Sequence, residues 1–169
     1  MAGQLVQVDT ETVTSAVSQV DLIGTTTDDV YMVAMNNVST DTDAQGVRFR
    51  FTVSGSADTS SNYDRVYKNL RADSAFSNIA YTNQTELDLG NAGTGTQEVA
   101  NAIQYLYNFN NASEYSFTTV EASNRNQDGH LRGFQGGGVL TVAQATDGVQ
   151  YFMQSGNITG GTFTLYRVV

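Results

Sequence analysis

Apolar and polar side chains alternate with a period of two along much of this chain, and no stretch sustains the three-to-four-residue spacing of an amphipathic helix. Between Ala100 and Asn110 one face carries Ile103, Tyr105, Tyr107 and Phe109, while the interleaved positions carry Ala102, Gln104, Leu106 and Asn108. That is the pattern of a half-buried strand, and its β-branched and aromatic residues favour strand over helix. Asn110-Asn111-Ala112-Ser113 supplies turn chemistry, after which Tyr115, Phe117 and Thr119 resume the alternation, so the two runs predict a hairpin.

Similar runs occur at Val47 to Val53, Val149 to Met153 and Phe163 to Val169, each bounded by Gly, Asn, Asp, Ser or Thr clusters. Val30 to Val38 starts apolar on both faces, as in a strand covered on both sides. Val13 to Leu22 fits a strand too, with a short helix marked by Val13, Val17 and Val20 as the competing reading. The sum is about eight to ten strands with no helical crossovers, which predicts an all-β antiparallel sandwich, jelly-roll-like, in a single domain. Ser39 to Gly46, Ser54 to Asn62, Gly90 to Gln97 and Asn124 to Gly129 read as loops inside that domain. Residues 1–169 form one unit in this reading, with 1–12 as a possible N-terminal arm.

Composition narrows the function. The chain has 169 residues, with no cysteine, proline or tryptophan, so disulfides and thiolate metal sites are excluded. Ser, Thr, Asn and Gln supply 60 residues, a neutral polar surface. Seventeen acidic residues against eight basic ones give a formal charge of −9, which repels phosphate backbones and anionic headgroups. Nucleic acid and membrane are therefore not expected partners. The start, Met1 to Leu5, shows no basic segment leading into an apolar stretch, so no secretory signal is expected.

Candidate chemistry is sparse. The lone histidine, His130, sits beside Gly129 with no nucleophile elbow elsewhere in the chain, and reads as a solvated loop or strand-end residue. A carboxylate pair for sugar hydrolysis is compatible with the many acids, but tryptophan for sugar stacking is lacking. Asp41 to Gly46 opens like an oxygen-ligand calcium loop yet lacks the third acidic ligand and the distal glutamate. Gly136-Gly137-Gly138 leads into the strand-like Val139-Leu140-Thr141-Val142, so it suits a bulge or bend rather than a phosphate loop. No catalytic, cofactor or metal residues are expected. Asn62 to Arg71 mixes Tyr63, Arg65, Tyr67 and Lys68, a composition that suits a protein contact or equally a solvated strand edge.

Three stretches carry a family resemblance. They are Ser18 to Gly24 leading into Val30-Tyr31-Met32-Val33, then Val47-Arg48-Phe49-Arg50-Phe51 with Ser61-Asn62-Tyr63-Asp64, and the tail Ser155-Gly156-Asn157 through Gly161-Thr162-Phe163 to Leu165-Tyr166. In these the chain resembles small all-β virion proteins of tailed bacteriophages, common among phages of cyanobacteria and other aquatic bacteria. Arg167 stands where a glycine commonly follows the Leu-Tyr ending. The resemblance implies a jelly-roll-like, non-enzymatic virion component with other virion proteins as partners: a capsid decoration (cement) protein on the major capsid protein, or a tail-fibre or receptor-binding module facing the host surface. The first strand signal begins by Leu5 with no anchor or repetitive shaft ahead of it, which favours decoration. A homotrimer is expected, since rotational closure buries edges and matches threefold positions of a shell.

The two roles place different demands on the surface. A cement protein needs flat apolar patches or strand edges, with an arm such as Met1 to Val8, including Leu5 and Val6, adding a strand to a neighbour. A receptor reader needs a loop cluster at one end, either Asn110, Asn111 and the residues to Tyr115, or Asn124 to Gly129. Together with Tyr63, Arg65 and Tyr67 these are the candidate partner-binding residues.

Overall fold

A computed structural model describes residues 3–169. The alternating segments form thirteen strands: β1 (Leu5–Val13), β2 (Gln19–Ile23), β3 (Tyr31–Thr40), β4 (Gln45–Val53), β5 (Ser56–Ala57), β6 (Tyr63–Arg71), β7 (Ser77–Gln84), β8 (Leu87–Ala92), β9 (Ala100–Tyr107), β10 (Ser116–Arg125), β11 (Leu131–Leu140), β12 (Gly148–Met153) and β13 (Ile158–Val168). No helix occurs among the described residues. All pairings are antiparallel, in an eight-stranded sheet ordered β1-β13-β3-β9-β10-β11-β6-β7 and a smaller one ordered β2-β12-β4-β5, with β8 also on β4. The molecule is an all-β sandwich.

Within it, β1-β13-β3-β9 faces β2-β12-β4-β8, the strand order of a jelly roll. Two hairpin-like insertions, β6-β7 and β10-β11, then widen only the first of these sheets. The larger sheet therefore extends past the smaller one, whose edge there is β8. This mismatch shapes the polar end described below.

Between the sheets lies one apolar core. Phe49 and Phe51 of β4, Tyr151 of β12, Phe163 and Leu165 of β13, Val33 of β3 and Phe109 are fully buried. Phe51 meets Phe109 edge-on with ring centroids 4.8 Å apart, and Tyr63 at 5.8 Å, the geometry aromatic quadrupoles favour.

Several sequence expectations change in three dimensions. Val13 to Leu22 is not one strand: β1 ends at Val13, β2 begins at Gln19, and Val17 makes an isolated bridge to Ile158. Residues 5–12 are no arm, because β1 is hydrogen-bonded along β13 from Leu5↔Val168 to Val13↔Gly161. Residues 1 and 2 of the expected arm lie outside the described residues. Met32 and Ala34 leave the outer face of β3 half-buried rather than covered. Gly136 to Gly138 make neither bulge nor bend, since β11 pairs with β10 and β6 without a register shift. These glycines allow close approach instead: a Cβ on Gly136 would stand 2.7 Å from Tyr67 Cα, and one on Gly138 2.5 Å from a Leu87 methyl.

The largest change concerns β9. Ala102, Gln104 and Leu106 point into the core, and Ile103 and Tyr105 point out. Asn108 adopts a left-handed backbone conformation (φ 60°). It breaks the period of two and turns Phe109 back into the core.

Candidate functional site

Register fixes what the outer face of the larger sheet presents. One cross-strand row runs Tyr166–Met32–Tyr105–Thr119–Gly137–Val66. A second runs Thr164–Ala34–Ile103–Glu121–Gln135–Lys68, and a third, Tyr107–Phe117–Val139–Asp64. Ile103 is 46% exposed, Phe117 43%, Tyr105 39% and Val66 62%. Such residues expose roughly 70–100 Å² each, so these four alone offer about 350 Å² of mostly apolar surface, within the range of the largest patches on monomers, which are often functional.

The candidate residues divide sharply by position. Leu5 and Val6 open the sheet-edge strand β1 and are exposed. Asn110 is exposed and Asn111 half-buried; their side-chain amides donate to the Thr26 carbonyl (2.7 Å) and to Asp28 (2.8 Å). The β9–β10 turn is thereby clasped to the loop before β3. Tyr115, at the same end, is exposed. Tyr63, Tyr67 and Arg65 are buried and cannot face a partner. Their strand β6 lies between β11 and β7, with these three side chains on the inner face. The Tyr63 hydroxyl donates to the Asp58 carbonyl and accepts from the Phe51 amide, and Tyr67 accepts from the Asp88 amide. Burial pushes both phenols above their usual range.

Arg65 belongs to a buried ionic cluster. Its guanidinium lies 3.0 Å from Asp88, which also pairs with Arg48 across β4 and β8. Burial, then the neighbouring Arg65 charge, pull Arg48 below the usual guanidinium value. Further out along β6, Arg71 stands directly opposite Arg132 of β11, and Arg132 opposite Asn124 of β10, all on the inner face. Opposed like charges repel. Asp73 moderates the repulsion by pairing with both guanidiniums at 3.2 Å.

Arg48, Asp88, Arg71, Arg132 and Asn124 line a cavity of about 420 Å³ at the end of the sandwich where the larger sheet outruns the smaller. Phe134 contributes to its wall and stacks on Tyr67 with centroids 4.3 Å apart. Arg125, Asn126 and Asp128, around the β10–β11 turn, complete one rim. Turn chemistry marks Asn124 to Gly129 as a loop, although β10 runs on through Asn124 and Arg125, and the arginines come from separate strands that meet only through register.

The other motifs are structural. His130 is exposed, and its backbone amide donates to Asn126 Oδ1. Asp41 accepts two 2.8 Å hydrogen bonds from Asn157, tying the β3–β4 turn to the β12–β13 turn. No group of three or more potential metal ligands occurs among the described residues.

Comparison of the chain with protein-family models, with curated proteins and with solved structures finds no match.

Proposed function

We propose that this chain is a non-enzymatic bacteriophage virion protein, a head-decoration module that docks by the outer face of its larger sheet on the protein surface of the shell. The observation that carries this reading is the exposure of Ile103, Tyr105, Phe117 and Val66, from three neighbouring cross-strand rows, on one outer sheet face. The sequence resemblance to phage virion proteins supports the identity of the particle.

An open sheet face without a deep cleft suits another protein surface better than a small ligand. At about 350 Å² the exposed apolar area is below the ~800 Å² per partner of a stable binary interface. A single contact of this size is weak, and many copies on one lattice, or a trimer, compensate through multivalency. Tail-fibre or receptor-binding attachment is the second reading, favoured by the Asn110–Tyr115 turn exposed at one end of the sandwich.

Quantitative mass spectrometry of purified particles tests the proposal. Hundreds of copies per particle are expected for a decoration protein. A dozen or so would move it to the tail, and absence from the particle would overturn the virion reading.

A further inference from the structure

We propose that the arginine-lined cavity binds a carboxylated sugar, with Arg125 holding the carboxylate and Asn124 a ring hydroxyl. The inference is independent of where on a particle the protein sits. The cavity, about 420 Å³, is the size of small-ligand sites, which run from roughly 300 to 1,000 Å³.

Charge is concentrated here against the trend of the chain. Arg48, Arg65, Arg71, Arg125 and Arg132 cluster in and beneath the cavity with Asp73, Asp88 and Asp128, while the whole chain carries −9. Asp43 and Glu98 stand beside Gly93 without lining it. Six of the seven arginines pair with a carboxylate among the described residues, and Arg125 is the exception. Its Nε donates to the Gly129 carbonyl and one terminal nitrogen to Gln97 Oε1, both at 3.0 Å. Those bonds fix the guanidinium and leave its other terminal nitrogen without a partner. A held arginine with spare donors is the group that recognises a carboxylate.

Asn124 supplies the second, separate observation. It is only 8% exposed, lines the cavity, and its amide makes no hydrogen bond within the protein. The amide opens onto the cavity, where its donors and acceptor are free for water or for a ligand hydroxyl. Asn69 and Asn91 add further amides to the lining, and Phe134 offers an apolar wall for the C–H face of a ring. An acidic peptide side chain would use the arginines and leave these amides idle. A sugar acid uses both.

Isothermal titration of the full chain with glucuronate, glucose and a short glutamate-rich peptide, at low and moderate salt, tests the assignment. Saturable binding of glucuronate is expected, at least tenfold tighter than glucose and weakened by salt. Arg125→Gln, at the exposed end of β10, should lose at least tenfold in glucuronate affinity while the variant still unfolds cooperatively. Asn124→Ala should weaken glucuronate severalfold, and amide shifts should map to the cavity rim. No saturable glucuronate binding, binding indifferent to Arg125→Gln, equal affinity for glucose, or preference for the acidic peptide would each overturn the proposal.

Discussion

The Tyr151 hydroxyl donates a 2.6 Å hydrogen bond to Gln104 Oε1 across the core, from β12 of one sheet to β9 of the other, with both residues fully buried. The Gln104 amide then donates to Thr118 Oγ1 at 3.0 Å. Burial pushes the Tyr151 phenol well above its usual range, so it stays a donor at neutral pH. Removing one partner leaves a buried polar group unpaired, at a cost of about 1–3 kcal/mol. Tyr151→Phe should destabilise by that amount in urea unfolding. Tyr151→Phe combined with Gln104→Leu should cost less than the two single changes summed; simple additivity would show that the bond carries no coupling.

Asp88 should prove far more sensitive than an exposed acid. It separates Arg48 from Arg65, and replacing it with asparagine leaves two buried guanidiniums facing each other. Breaking a buried ionic cluster in this way costs about 3–5 kcal/mol. Glu86→Gln, which loosens only the more exposed pair with Arg50, should cost under about 1 kcal/mol by the same denaturation measurement.

Glycine substitutions should separate packing from backbone freedom. A methyl on Gly136 meets the Val66 carbonyl and Tyr67 Cα, so Gly136→Ala should lower stability by about 1–3 kcal/mol and shift the near-ultraviolet circular dichroism of Tyr67. Gly55, at φ +73°, has open space around it, and alanine there meets only the left-handed conformational penalty, about 1 kcal/mol.

Acid should unfold the protein through particular carboxylates. Hydrogen bonds from Asn157 hold the Asp41 carboxyl below its ordinary value, and bonding from Arg71, with the charges of Arg132 and Arg71, does the same for Asp73. A depressed folded-state value stabilises above the unfolded one, near 3.8, and that stabilisation is lost as pH falls through the folded value. The contribution of these two groups to the melting temperature should be constant from pH 7 to 5 and decline below about pH 4. Asp41→Asn should flatten part of that decline; an unchanged slope would remove Asp41 from the account.

The outer face offers a check on docking. Tyr105→Thr with Phe117→Thr keeps strand propensity and removes exposed aromatic area. Stability should change by less than about 1 kcal/mol, while attachment to purified particles lacking the protein should fall at least tenfold. Full attachment by the double variant would move the docking surface elsewhere.

Much of the architecture was legible in the chain. Alternation with turn clusters announced strands at Val47 to Val53, Val149 to Met153 and Phe163 to Val169, and the β9–β10 hairpin, since period and turn chemistry are local properties. Local reading could not tell which face of β9 is buried. Ile103, Tyr105 and Tyr107 look like a core stripe, but Gln104 has partners inside and Asn108 reverses the phase before Phe109. Nor could it bring Arg48, Arg71, Arg125 and Arg132 together, because they come from different strands aligned by long-range pairing.

The sequence by itself determined a β protein: a two-residue period, polar turns and an acidic surface leave little other way to bury its apolar side chains. Only the tertiary structure decided that Ile103 and Tyr105 face outward, and that β6-β7 and β10-β11 extend one sheet beyond the other and so open an arginine cavity at one end. The physical reason is that strand order and register are set by pairing partners far apart in the chain, whereas the pattern along a strand records only that some face is buried, never against what.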